Sequence, residues 1–115
     1  MSSVKIRRIN SEFQVEIANI IRNKLDDPRL NSAIVSVVKV DTSADLSYSK
    51  IYLSIYPTKN TVEDVFNAIL NSIPYIRRQV ASTVKIRSMP ILQFKIDDSM
   101  EYADKIESII KKINK

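Results

Sequence analysis

At 115 residues, with 44% hydrophobic and 27% charged content, the chain has the make-up of one globular domain with a single core. It contains no cysteine, histidine or glycine. That excludes disulfides, thiolate chemistry and a glycine-rich phosphate loop, and it removes the commonest general base and metal ligand. The eighteen basic residues exceed the thirteen acids by five, and the surplus is unevenly spread. Residues 65–96 hold Arg77, Arg78, Lys85, Arg87 and Lys95 and no acid, so the other thirteen bases balance all thirteen acids. Charge gathered in this way points to a polyanion-binding face. Neither catalysis nor a metal or cofactor is expected. No apolar run approaches the roughly 18 residues that span a bilayer, and MSSVKIRR lacks the apolar core of a signal peptide, so a cytoplasmic location without membrane contact is expected.

Residues 4–25 read as a helix, with Phe13, Ile17, Ile20, Ile21 and Leu25 on one apolar stripe that Ile6 and Ile9 extend backwards. Ser11 and Gln14 have capping-box spacing, so the helix could equally begin near residue 11. Lys5, Arg7 and Arg8 would then form a short arm, either solvated or in contact with phosphate. Asp27-Pro28 ends the helix, because proline disfavours the α region for the residue before it. Residues 33–41, rich in Val and Ile, predict a well-covered strand, and residues 42–46 a polar turn in which Asp41 and Asp45 can bond nearby backbone.

Residues 48–56 give the clearest strand signal. Ser49, Ile51, Leu53 and Ile55 face a core, and Tyr48, Lys50, Tyr52, Ser54 and Tyr56 face away. The outward tyrosines suit stacking on RNA bases, although the strand propensity of tyrosine explains the same pattern. Thr61 and Asp64 then have capping-box spacing before a helix with Val62, Val65, Phe66, Ile69, Leu70 and Ile73 on its apolar face. Pro74 should either kink that helix or act as the first residue of a second one, with Ser72 or Ile73 as the cap. The second helix turns Ile76 and Val80 inward and leaves Arg77 and Arg78 on its flank. Residues 91–97 form a third strand with Leu92, Phe94 and Ile96 inward, and Asp98 with Glu101 caps a final helix bearing Ile106, Ile109, Ile110 and Ile113.

The predicted order is helix, strand, strand, broken helix, strand, helix. It implies one α+β domain over residues 1–115, with a three-stranded sheet and the helices on one face. Through the third strand this is the order of a type II KH domain, not that of an RRM. KH domains hold single-stranded nucleic acid with a GXXG loop at the start of a helix. The corresponding junction here, Ser72-Ile73-Pro74-Tyr75, has no glycine, so ordinary KH capture is not expected. A helix starting at Pro74 still offers amides and positive dipole character, with Arg77 and Arg78 within one turn. The candidate RNA-binding residues are therefore Ser72, Tyr75, Arg77, Arg78, Lys85 and Arg87, with Lys5, Arg7 and Arg8 as a second group.

Four segments, in order, carry a family resemblance: RINSEFQVEIANIIRNKLDDPRL, VDTSADLSYSKIYLSIYP, YIRRQVASTVKIRSMPILQF and DDSMEYADKIESII, spread over most of residues 8–110. With them the chain resembles the bacterial ribosome-binding factor A family. The resemblance implies a type II KH fold in which an Ala-X-Gly kink replaces GXXG. It also implies a cytoplasmic, monomeric assembly factor that binds 16S rRNA in the free small ribosomal subunit. Such a factor aids late maturation and processing near the 5′-terminal helix, especially in the cold, beside an assembly GTPase. Here Ser72-Ile73-Pro74 occupies the kink, so both signature residues differ, and the polar tail of many relatives is missing. Two other readings fit the residues: a general KH-like module for single-stranded nucleic acid, and a protein adaptor using the tyrosine face.

Overall fold

A computed structural model describes residues 4–31, 33–57 and 59–97. Helix α1, Val4–Asn23, is followed by a 3₁₀ turn, Pro28–Leu30, strands β1, Ile34–Thr42, and β2, Tyr48–Tyr56, helices α2, Val62–Asn71, and α3, Ile73–Thr83, and strand β3, Ile91–Ile96. The helix predicted from Asp98 onward lies outside the described residues.

The apolar stripe of α1 extends over its full length, with Ile6, Ile9, Phe13, Ile17, Ile20 and Ile21 all buried. The helix thus begins well before Ser11, and the expected capping box is not what orders it. The Gln14 carboxamide is instead committed to the sheet, donating to the Val37 carbonyl at 2.9 Å and the Val38 carbonyl at 3.4 Å. Those carbonyls sit at a β-bulge, where the register with β2 slips between Val37 and Lys39. The extra residue changes the phase of β1, so Val37 and Val40 both point into the core. This is why β1 reads as well covered from sequence although it is half open. Its bounds also correct the sequence reading: Thr42 belongs to the strand, and the turn begins after it.

β2 is the middle strand, antiparallel to β1 and parallel to β3. Ser49, Ile51 and Leu53 on its inner face are completely buried, as the alternation requires. Ser49 is kept satisfied by a short chain of hydrogen bonds. The Asn10 carboxamide oxygen accepts from the Thr42 hydroxyl at 2.6 Å and the Thr42 amide at 3.1 Å, and the Thr42 and Ser49 hydroxyls are 2.7 Å apart. Because Thr42 has one hydroxyl hydrogen and directs it to Asn10, Ser49 is the donor to Thr42. One buried polar chain thus ties α1 to β1 and β2. In the turn between the strands, Asp45 accepts from the Ser47 amide as expected, and Leu46 takes φ 62°, an unfavourable left-handed conformation held while its side chain packs against the core.

α2 and α3 complete the layer over the sheet through Val65, Ile69, Ile76 and Val80. Thr61 caps α2, its hydroxyl accepting from the Asp64 amide at 3.1 Å, and Glu63 and Asp64 complement the positive end of the helix dipole. The break falls at Ser72, which closes α2 and opens α3 with φ −97° and ψ 2°. That conformation is open to any residue, so the junction needs no glycine. Pro74 lies in the first turn of α3, where its missing amide has no helical acceptor to lose.

Replacing Asn10 with alanine leaves the Thr42 amide and the hydroxyl hydrogen of Thr42 without their acceptor, at a cost of roughly 1–3 kcal/mol. The expected result is a lower urea midpoint with an unchanged denaturant slope.

Candidate nucleic-acid interface

α1 and α3 lie side by side and antiparallel. Near one end Lys24 Nζ approaches Gln79 Oε1 at 3.5 Å, and near the other Arg8 to Glu16 border the same cleft as Thr83, Val84 and Lys85. This packing separates the predicted site residues into two groups at opposite ends of α3.

The junction end is a shallow cleft of about 360 Å³ bordered by Lys24, Leu25, Asp26, Asp27, Asn71, Ser72 and Tyr75. The Ser72 hydroxyl donates to the Ala68 carbonyl at 2.9 Å, satisfying the end of α2 and not capping α3. Tyr75 is half-buried and packs against the core. Pro74 has no amide and the Ile76 amide bonds the Ser72 carbonyl at 2.9 Å, so at most the Ile73 and Tyr75 amides are on offer to an anion. Asp26 and Asp27 set negative charge beside them. Asp27 closes the turn after α1, accepting from the Arg29 amide at 2.9 Å and pairing with its guanidinium at 2.7 Å. The hydrogen bonds from Arg29 hold the Asp27 carboxyl below its ordinary range. Lys24 escapes sequence reasoning because only the antiparallel packing of α1 brings it here.

The far end is a cleft of about 640 Å³ bordered by Arg8 and Lys85, together with Ser11, Glu12, Val15 and Glu16. Arg8 lies 4.0 Å from Glu12 in an exposed i,i+4 pair, which is worth little in water and leaves the guanidinium available. Lys5 and Arg7 are exposed on the first turns of α1, so the predicted arm is helical. Arg78 and Arg87 are also exposed. Arg77 differs: it is half-buried, and its guanidinium donates to the Pro90 carbonyl at 3.2 Å, bracing the entry to β3. Lys95, from the same basic window, lies on the opposite side of the sheet, where its register neighbour is Tyr52. Among the described residues no group of three or more carboxylates could hold a metal ion, and no helix is long and apolar enough to cross a membrane.

An α-β-β-α-α-β chain, a three-stranded sheet covered on one side, and a sharp break between its second and third helices define a KH-like domain of type II. The family profile described as ribosome-binding factor A matches residues 5–110. The ribosome-binding factor A of Clostridium kluyveri is 42% identical over 113 residues, which is 98% of this chain and 93% of the relative. That of Caldicellulosiruptor bescii is 39% identical over 108 residues, covering 93% of this chain and 82% of the relative. This chain belongs to the ribosome-binding factor A family. The fold agrees with the crystal structure of the Thermus thermophilus factor, with TM-score 0.68 at 23% identity over 79% of this chain and 93% of that one. It also matches a Thermus thermophilus homology model fitted into a cryo-EM map of a 30S complex, with TM-score 0.61 at 24% identity over 75% of this chain and 88% of that one.

Asp27→Asn keeps a capping side chain but removes the charge paired with Arg29. Because the folded carboxyl titrates below 3.8, its electrostatic contribution is complete above that pH and is lost as pH falls through the depressed value. The variant should therefore melt slightly below the wild type at neutral pH, and the difference should close as acid titrates the carboxylate. Thermal melts across a pH series measure it.

Proposed function

We propose that this protein is a non-enzymatic ribosome assembly factor that binds the free small (30S) ribosomal subunit and assists late maturation and processing of 16S rRNA near its 5′-terminal helix. The observation that carries this reading is membership of the ribosome-binding factor A family along nearly the whole chain. A relative from Thermus thermophilus fitted into a 30S complex supports the choice of the small subunit. The place of action is the cytoplasm, and the protein works as a monomer, with an assembly GTPase as a further partner and a role that matters most in the cold.

The physical basis is electrostatic and shape-led. Exposed Arg78, Lys85 and Arg87 on α3 and after it, with Lys5, Arg7 and Arg8 on the neighbouring α1, supply phosphate contacts, Arg8 and Lys85 from one cleft. Ser72, Ile73, Pro74 and Tyr75 form the kink in place of a GXXG loop. With so few free amides the kink sets the direction of α3 and takes little part in gripping the backbone. Arg77 acts through Pro90, holding the exit of α3 in place, more than through direct contact.

Sucrose-gradient cosedimentation tests the proposal. The purified protein should travel with free small subunits in preference to assembled ribosomes, and should bind them more tightly than naked oligonucleotides. Equal affinity for oligonucleotides would instead favour a general module for single-stranded nucleic acid. Reversing the charge of Arg78, Lys85 and Arg87 together should weaken subunit binding and flatten its log–log salt dependence by roughly 0.7–0.9 for each phosphate no longer neutralised. A salt-insensitive interaction would contradict the electrostatic basis.

A further inference from the structure

The sheet face turned away from the helices carries its own chemistry. Register places Tyr52 in the middle row between Lys39 on β1 and Lys95 on β3. The Lys39 ammonium lies 5.7 Å from the centre of the Tyr52 ring, and the Lys50 ammonium 5.8 Å from that of Tyr48. Tyr56 completes the row of tyrosines along β2 and is 59% exposed. Successive tyrosines are four residues apart on one strand, about 13 Å at the usual rise, with Lys50 between the first two. Within the three strands this face holds three lysines and a single carboxylate, Asp41.

We infer that this open face is a second RNA-binding surface, taking a short single-stranded segment whose bases stack on Tyr48, Tyr52 and Tyr56 while Lys39, Lys50 and Lys95 contact its phosphates. The inference rests on the protein being an RNA-binding factor. It adds a surface on the side opposite α3 and a class of ligand, unpaired RNA, because stacking on a protein ring requires a base free of its helix. Charge favours RNA over a protein partner: the middle row is lysine, tyrosine, lysine, and lysine is depleted at the centres of protein interfaces. Ile34 beside Tyr56 and Ile91 beside Tyr48 extend the apolar surface at the two ends without adding a negative charge.

The test uses the full chain and a fluorescently labelled ten-nucleotide oligouridylate, which has no duplex to compete with stacking. Tyr48→Leu/Tyr52→Leu removes two rings while keeping apolar bulk and every lysine. Tyr48→Phe/Tyr52→Phe keeps the rings. Anisotropy should show affinity for oligouridylate reduced at least fivefold per ring in the leucine variant and retained in the phenylalanine variant, with unchanged thermal stability in both. The chain has no tryptophan, so quenching of intrinsic tyrosine fluorescence provides a second readout, present in the wild type and reduced in the leucine variant, which keeps Tyr56. Wild-type affinity in the leucine variant overturns the inference. So does weakened binding to small subunits with oligouridylate binding intact, which would assign the face to a ribosomal protein. A wild type that binds oligouridylate through these rings but does not sediment with small subunits would uphold the inference and overturn the assembly function.

Discussion

The structure depends on β2 being the middle strand of a sheet that the helices among the described residues cover on one side. Its position commits its backbone on both edges, to antiparallel β1 and to parallel β3. Its alternation then divides the molecule in two. Ser49, Ile51 and Leu53 meet α1 and the α2–α3 pair in the core, and every intervening residue is left on the other side. A one-residue slip would exchange the two faces, burying tyrosines and a lysine and exposing the core. The Asn10–Thr42–Ser49 chain opposes such a slip, because a buried hydroxyl on β2 has its partners in only one register.

The same geometry explains how a chain without glycine builds a KH-like break. The usual loop relies on glycine so that a phosphate can approach the backbone closely. Here the turn is made at Ser72 with negative φ, its hydroxyl is bonded to Ala68, and Pro74 occupies a position where an amide would have had no helical partner. The break is thus kept as a change of helix direction, while most of its capacity to hold an anion is given up. Asp26 and Asp27 at the same cleft add to that loss. Any phosphate held at this end has to be held by side chains and not by backbone amides.

Much of the fold is legible in the sequence, and the failures share a physical cause. β2 reads with its final bounds because strict alternation is a local signal. The α1 stripe and the break at Ser72 are equally local. β1 misleads because a bulge changes its phase, and a bulge is set by the partner strand and by Gln14 from α1, neither visible in the run of valines. The Ser11–Gln14 spacing suggests a cap for the same reason: the true partner of Gln14 is 23 residues away. The candidate site is less legible. Arg77 looks like its neighbour Arg78, and only the return of the chain at Pro90 shows that one is a brace and the other is exposed.

Charge along the chain is also a poor guide to charge in space. Residues 65–96 hold the whole surplus, yet folding sends Arg78 and Lys85 to the helical side and Lys95 to the open sheet. On the helical side, Glu12 and Glu16 from α1 stand close to Arg8 and Lys85 and offset part of their field. On the open side, Lys95 joins Lys39 and Lys50, which come from a hairpin that is neutral overall, and only Asp41 within the strands opposes them. The stronger field therefore need not coincide with the stretch that is richest in bases. The two sides also suit different features of a folded RNA: spaced cations on helices follow a phosphate backbone, whereas rings between lysines require bases that have come unpaired. On the proposed assembly role, an RNA still being folded would present both features at once, one to each side of the sheet.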